Sequence, residues 1–502
     1  MKGKNSRMPI GGWVFLTLTG LLTTTAWMRG GTPTWSQRHL LWVALALSAL
    51  VIPAAVKRYG GVKKAVLKLI SDPVVVAGAA FLFLLALQWW NAGRHLFFNP
   101  ITEMWDHTNP RIPWLPSAVS QDEAAEMLRW FAPALAILLA LRHALSRLAK
   151  RTVLHILVIN GAALALFGVI QYTRGAESIY SQPLKGHFFA AFGYPNHAGA
   201  YFLLIASLAL GLIFRNVMKQ ASPPSASGFS VWIICFALTF FGAILSLSRA
   251  VMLFSVVLLA IAAFTLFITL WPRFQAAKRL NLLVVTVAFG CLCFFVYDAF
   301  ADQAIKKQWG KAPLEKQKTQ TGVTPGTPGR SLWSDLAADR KVTYKTAIEI
   351  WLDSPWFGRG GWGFRHFVML KRPPESWGRV EPGQANVHND PLQFLVEFGI
   401  IGGGLLMIGV GALAGAVIKR KVWRQPAAVP VMAGVVLVFT HSLVDLPFRC
   451  PAILFTWLTL LAAVDSLVTQ REKTVSAVRH SLALQAPAPG DGSGGQRRKL
   501  YI

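Results

Sequence analysis

Apolar residues recur along this chain in long runs. They occupy 13–27, 40–56, 74–90, 128–141, 153–172, 198–214, 231–247, 250–271, 282–297, 392–418, 429–444 and 453–468, with polar segments between them. A helix that crosses the hydrocarbon of a bilayer needs about 20 mostly apolar residues, because every backbone amide must be satisfied inside the segment. The pattern predicts an all-α polytopic membrane protein with about twelve transmembrane helices. A soluble enzyme with one core is excluded by composition: of 502 residues, 54% are hydrophobic and 14% charged, where soluble chains carry about 25% charged residues.

The positions of Lys and Arg predict the orientation. If the N-terminus, with Lys2, Lys4 and Arg7, is cytoplasmic, then 57–68, 142–151, 215–219, 273–279, 419–424 and 471–499 fall on the same side. Each alternate loop agrees with the positive-inside bias, and both termini are expected in the cytoplasm. This explains most of the +28 formal charge. The basic residues are dispersed over short loops and form no single basic and aromatic patch, so no nucleic-acid partner is expected. The first run has a basic flank but no clear small-residue cleavage site after it, which predicts a retained first helix.

Of four cysteines, Cys235, Cys291 and Cys293 lie in expected spans and Cys450 at a helix edge. They complete no zinc pattern and are expected to be packing residues. The chain divides into a polytopic region, 1–472, and a tail, 473–502, that is expected to be disordered and cytoplasmic, since its stretch 486–495 is rich in Ala, Pro, Gly and Ser and lacks apolar periodicity.

With this topology the outer side carries loops at 91–127, 173–196 and 298–391. A loop as long as the last is uncommon unless it has a function. Its first part, 306–330, has almost nothing to bury and is expected to be mobile. From Leu332 to Trp351 a broken helical stripe of Leu332, Leu336, Val342, Ala347, Ile350 and Trp351 predicts a helix on or near the membrane. Then follows Asp353-Ser354-Pro355-Trp356-Phe357-Gly358-Arg359-Gly360-Gly361-Trp362-Gly363. Its glycines either form turns beside an aromatic belt or expose amides to a phosphate, although no Walker pattern is present.

Candidate chemistry gathers on the same side. His388 opens the stretch that returns from the long loop to an apolar helix. An imidazole titrates near neutral pH and can take a hydroxyl proton. Asn389 and Asp390 are near enough in sequence to orient it or to meet substrate hydroxyls. Arg249 stands where two helices meet at an outer end, against the positive-inside bias, which favours a bound anion over simple snorkelling. Asn196, in Gly193-Tyr194-Pro195-Asn196-His197, either caps a helix or contacts a ligand. His441 and Asp445, four apart, share a helical face as a structural pair or face one cavity. The outer acidic residues are scattered and no metal site is apparent.

These residues resemble the O-antigen ligase family, membrane glycosyltransferases that include WaaL-type ligases, Wzy-type polymerases and protein O-oligosaccharyltransferases. His388-Asn389, nine residues, Gly399, two residues and Gly402 fit the family pattern H-[NSQ]-x9-G-x-x-[GTY]. Tyr194-Pro195-Asn196, Ser248-Arg249, and Arg340 upstream of Ser354-Pro355-Trp356-Phe357-Gly358-x-Gly360 support it. The motifs cover roughly 193–451, while the first four spans match only in topology. The 306–330 insert, Trp356 and Arg359 depart from the pattern; they do not bear on the reaction type and leave acceptor identity open.

The resemblance implies a bacterial inner-membrane enzyme. Its donor is a glycan on an undecaprenyl diphosphate carrier at the periplasmic face, and its acceptor is a sugar hydroxyl, on lipid A-core in a ligase or on a growing chain in a polymerase. Arg249 and Arg340 would hold the diphosphate, Arg174 being a further candidate, and His388 would be the general base. Neither a nucleotide sugar, a metal nor another cofactor would be needed. A twelve-helix lipid-linked glycan transporter is the alternative from another class. It predicts repeats and midplane polar groups, whereas no repeat is obvious and the candidate residues lie at one face.

Overall fold

The computed structural model describes residues 8–93, 96–99, 104–107, 109–183, 187–219, 226–271, 332–372 and 385–468. The expected span at 282–297, the 306–330 insert, Cys291, Cys293 and the C-terminal tail lie outside them. What is described is mostly helical. The helices are α1 (Ile10–Trp27), α2 (Thr34–Tyr59), α3 (Val62–Ile70), α4 (Pro73–Trp90), α5 (Gln121–Leu139), α6 (Arg147–Thr173), α7 (Pro195–Lys219), α8 (Ala226–Leu245), α9 (Arg249–Leu270), α10 (Leu332–Leu352), α11 (Phe364–Lys371), α12 (Asp390–Lys419), α13 (Val429–His441) and α14 (Pro451–Ala463). Two short antiparallel hairpins, β1 (Leu96–Asn99) with β2 (Met104–His107) and β3 (Ser178–Ile179) with β4 (Gln182–Pro183), decorate the loops.

Among the described residues, eight helices are long and apolar enough to cross a membrane, and three shorter apolar helices lie at 231–245, 429–441 and 451–467. Together these account for eleven of the twelve apolar runs. Polar caps set several boundaries. Asp72 accepts the Val74 amide at the start of α4, Ser120 that of Glu123 at the start of α5, and Ser146 that of Ala149 at the start of α6, each satisfying an amide that the helix itself leaves unpaired.

Helix α7 is the axis of the bundle. It is apolar on all sides, 94% of its spanning window is buried, and it packs against α6, α8, α9, α13 and α14, as a helix without a polar face should. Neighbouring helices run in opposite directions, so the loops divide between two ends. At one end Arg142 pairs with Asp72, Arg420 with Asp465, and Arg58 and Arg147 donate to backbone carbonyls. The other end receives the C-termini of α1, α4, α6, α8 and α13 and the N-termini of α7, α9 and α12. Between α2 and α4 the basic loop forms a helix of its own, α3, in which exposed Val62, Val66, Leu67 and Ile70 accompany Lys63, Lys64 and Lys68. That composition suits a helix lying at a lipid–water boundary.

Helix α12 is broken at Gly399, where φ is +64° and ψ −169°, a conformation open essentially to glycine alone. The break frees carbonyls and amides that the segment 355–360 takes up. Arg359 and Gly360 amides donate to the Val396 and Glu397 carbonyls at 2.9 and 2.8 Å, and Ile400 and Ile401 amides donate to Pro355 and Trp356 carbonyls at 2.8 and 3.1 Å. The approach is close enough that a methyl group on Gly399 would overlap the Trp356 carbonyl, and one on Gly358 the Glu397 backbone. The two motifs, forty residues apart in the sequence, are thus two halves of one joint. Gly399→Ala is expected to lose about 1–3 kcal/mol or more of stability, read as a lower thermal midpoint in detergent. Gly404→Ala, whose methyl meets nothing among the described residues, is expected to leave that midpoint unchanged.

Candidate functional site

The cap of α12 positions His388. Asn389 is its N-cap, with its side-chain oxygen accepting the Leu392 amide at 2.9 Å and its Nδ2 donating to the Leu443 carbonyl at 2.9 Å. His388 itself has φ +56°, a left-handed backbone in which histidine is enriched among non-glycine residues. Val387, one residue earlier, donates its amide to Gln393 Oε1 at 2.8 Å. The imidazole is therefore fixed from both sides of the turn.

The partner of the imidazole comes from 57 residues away. His388 Nδ1 lies 3.3 Å from Asp445 Oδ1, with the imidazole 50% exposed and the carboxylate 5% exposed. Asp445 also accepts from the Tyr194 hydroxyl at 3.2 Å and from Asn196 Nδ2, and His441 Nε2 lies 3.7 Å from its other oxygen. Asn196 Nδ2 reaches the Tyr194 oxygen at 3.0 Å as well. Burial alone would push the Asp445 carboxyl up, but the His388 hydrogen bond and the neighbouring His441 and His197 bring it down to about 2. Burial and the adjacent carboxylate hold the Tyr194 phenol well above its ordinary range, so it stays a donor.

The sign of the Asp445 shift gives a pH dependence. Its native value lies below the unfolded value of about 3.9, so its contribution to stability is complete above that value and is lost as pH falls towards about 2. The thermal midpoint of the native protein is expected to fall across this window, and Asp445→Asn to show a smaller fall.

Asp390 does not orient the imidazole. It is fully buried, with Oδ2 accepting the Phe448 amide at 2.8 Å, while its own amide donates to the Ser442 carbonyl at 2.8 Å. The N-terminal turn of a helix directs this side chain inward, out of reach of a substrate hydroxyl. Asp390 thus stitches the 387–390 turn to the 442–449 turn. Asn389 has the capping work described above. Asn196 both starts α7 and touches Asp445, so capping position and site contact coincide.

The three arginines stand differently. Arg340, on α10, is exposed, and its charge reaches Tyr194. It lines an open groove of about 740 Å³ with Lys341, Tyr344, Lys345, Glu349 and Val444, which begins beside Asp445. Tyr344 from the same helix donates towards the His388 and Leu443 carbonyls at 3.3 and 3.4 Å. Arg249 is the first residue of α9, following Leu247 at φ +59°. Its helix flanks the site: Val251 lies against Gly199 of α7, and the Phe254 ring stands edge-on to His441 with centroids 5.9 Å apart. Arg174 caps the C-terminus of α6 and is exposed. Among the described residues no hydrogen bond or ion pair joins it to the His388 cluster.

Beneath the site lies a buried charge pair that the hydrophobic pattern conceals. Arg449 Nη2 meets Glu397 Oε2 at 2.5 Å, the side chains being 4% and 0% exposed. Gln393 Nε2 donates to the other Glu397 oxygen at 2.6 Å. The guanidinium is held among the rings of Trp362, Phe394 and Trp130, with centroids 4.7, 5.0 and 6.0 Å away. A chain of contacts therefore runs from the Val387 amide through Gln393 and Glu397 to Arg449, tying the two turns that carry His388 and Asp445. A glutamate two residues before a helix-breaking glycine and an arginine before Cys450-Pro451 were the sequence signals of it.

The fold and site define a polytopic helical membrane protein with a His–Asp pair at the end opposite its paired basic loops. The O-antigen ligase family model matches residues 234–407, which include Arg249, Arg340, the 355–360 joint and His388 through Gly402, so this part of the chain is similar to that family. Tyr194, Asn196 and Asp445 lie outside the matched residues. No curated protein matches the chain.

Proposed function

We propose that the protein transfers a glycan from an undecaprenyl diphosphate carrier to an acceptor hydroxyl, at the end of the bundle that holds His388 and on the periplasmic face of a bacterial inner membrane. The observation that carries this reading is the half-exposed His388 imidazole, within the residues that the O-antigen ligase family model matches, backed by the buried Asp445 carboxylate from outside them. With Asp445 accepting from Nδ1–H, Nε2 is left as the basic nitrogen facing solvent. It takes the proton of the acceptor hydroxyl as that oxygen attacks the anomeric carbon. The bond from that carbon to the diphosphate oxygen breaks, and the diphosphate carrier leaves with the electron pair. Asp445 stabilises the imidazolium that forms, as a buried carboxylate does behind a catalytic histidine. Arg340, with the lysines of its groove, and Arg249 neutralise the diphosphate as charge grows on it. The donor already holds the activated bond, so alignment and charge neutralisation suffice, without metal or nucleotide sugar.

The test is transfer from a purified undecaprenyl diphosphate-linked donor to lipid A-core in EDTA, comparing the native protein with His388→Ala and Arg249→Ala. Product from the native protein and its loss in both variants supports a ligase of this mechanism. Lengthening of the lipid-linked glycan instead makes the protein a polymerase. Absence of transfer to any acceptor, with donor still crossing a bilayer, replaces catalysis by transport.

A further inference from the structure

At the end of the bundle opposite His388, a pocket of about 320 Å³ is lined by four cations, Lys68, Arg142, Lys150 and Arg420, and two carboxylates, Asp72 and Asp465. Both carboxylates are already engaged. Asp72 receives Arg142 at 2.7 and 3.0 Å and faces His143 Nε2 at 2.9 Å, and Asp465 receives Arg420. Lys150 is half-buried and makes no hydrogen bond or ion pair among the described residues; the Asp465 carboxylate, already engaged by Arg420, attracts its charge, while Arg420, Arg58 and Arg142 repel it. It lies in the first turns of α6, where the helix dipole also favours an anion over a cation. A partly desolvated ammonium that shares one carboxylate with three guanidinium groups is costly unless a further anion joins it.

The pocket continues into an apolar space. Leu413 of α12 lines both it and a crevice of about 600 Å³ that runs between α4, α5 and α12–α14 and whose wall is almost wholly apolar. Gly403, Gly404 and Gly409 form part of that wall, and a methyl on Gly404 or Gly409 meets nothing among the described residues. A cationic head compartment joined to an apolar cleft has the form of an amphiphile. The amphipathic α3, which contributes Lys68, sets this end at the level of lipid headgroups.

We infer that this pocket binds the phosphate of an anionic membrane lipid through Lys150, Arg142 and Arg420, with the lipid tails in the crevice along α12. The site is separate from the proposed transfer chemistry and does not rest on it. The test is titration of the delipidated full-length protein in detergent with phosphatidylglycerol, phosphatidylcholine or inorganic phosphate, following the thermal midpoint and the bound mass by native mass spectrometry. Phosphatidylglycerol is expected to raise the midpoint and to stay bound, with phosphatidylcholine weaker. Lys150→Met is expected to bind it at least roughly tenfold more weakly, the loss of one charge-assisted contact. Arg424→Gln, an exposed charge at the same end outside the pocket, is expected to bind like the native protein. Should Lys150→Met fail to fold, Lys68→Gln, on the exposed rim, is expected to weaken binding in the same direction. Undiminished binding in the pocket variants, or an equal loss in Arg424→Gln, overturns the site. Phosphatidylcholine binding as tightly overturns the requirement for an anionic lipid, and inorganic phosphate matching phosphatidylglycerol overturns the lipid in favour of a free anion.

Discussion

Arg449→Met is expected to destabilise the protein by about 3–5 kcal/mol, because it leaves the Glu397 carboxylate buried without its counter-charge. Glu397 is fully buried, and among the described residues Gln393 is its one side-chain donor besides Arg449. Methionine roughly fills the space among Trp362, Phe394 and Trp130, so lost packing is a minor part of the effect. The double variant Glu397→Gln with Arg449→Met is expected to recover much of the loss, since it removes both charges together. Thermal and denaturant unfolding in detergent read these differences. A single variant as stable as the native protein would show that Glu397 is already neutral, and the pair would then contribute little to holding the two turns together.

His388→Ala is expected to lower glycan transfer by on the order of 10²–10⁴, the usual contribution of a positioned general base, and to lower the thermal midpoint modestly, since the buried Asp445 carboxylate loses one of its hydrogen-bond partners. Asp445→Asn is expected to approach the same loss in rate. An asparagine amide can donate to Nδ1, which favours the tautomer with its proton on Nε2 and removes the base from the acceptor. The two losses should not add when the variants are combined, as they act through one imidazole. Initial rates of transfer with the purified donor separate these outcomes. Additive losses would mean that Asp445 acts on substrate independently of His388.

Much of the helical order was legible in the chain because lipid imposes a severe rule on apolar run length. Eleven runs fall in helices, but the ends moved for local reasons. Helix α5 begins at Gln121, seven residues before its apolar run, because Ser120 and the acidic first turn form an N-terminus that hydropathy does not register. Helix α13 stops at His441, short of Val444, because Ser442 to Asp445 turn back to meet the cap of α12. His388 was visible as a polar residue at the entry to a span. Its partner was not, since adjacency in sequence favoured Asp390, whereas a left-handed turn and an inward-facing helical position bring Asp445 to the imidazole and bury Asp390. His441 and Asp445 were recognisable as a pair, but nothing in their spacing points to residue 388.

The broken helix at Gly399 also constrains how the protein is made. Inserted alone into a bilayer, α12 would present the Val396 and Glu397 carbonyls and the Ile400 and Ile401 amides to hydrocarbon, with no water to receive them. Their partners lie in the 355–360 segment, which is synthesised first. Biogenesis therefore cannot treat α12 as an autonomous span that later finds its neighbours: its N-terminal part becomes a membrane element only when the 355–360 segment is already present to receive it.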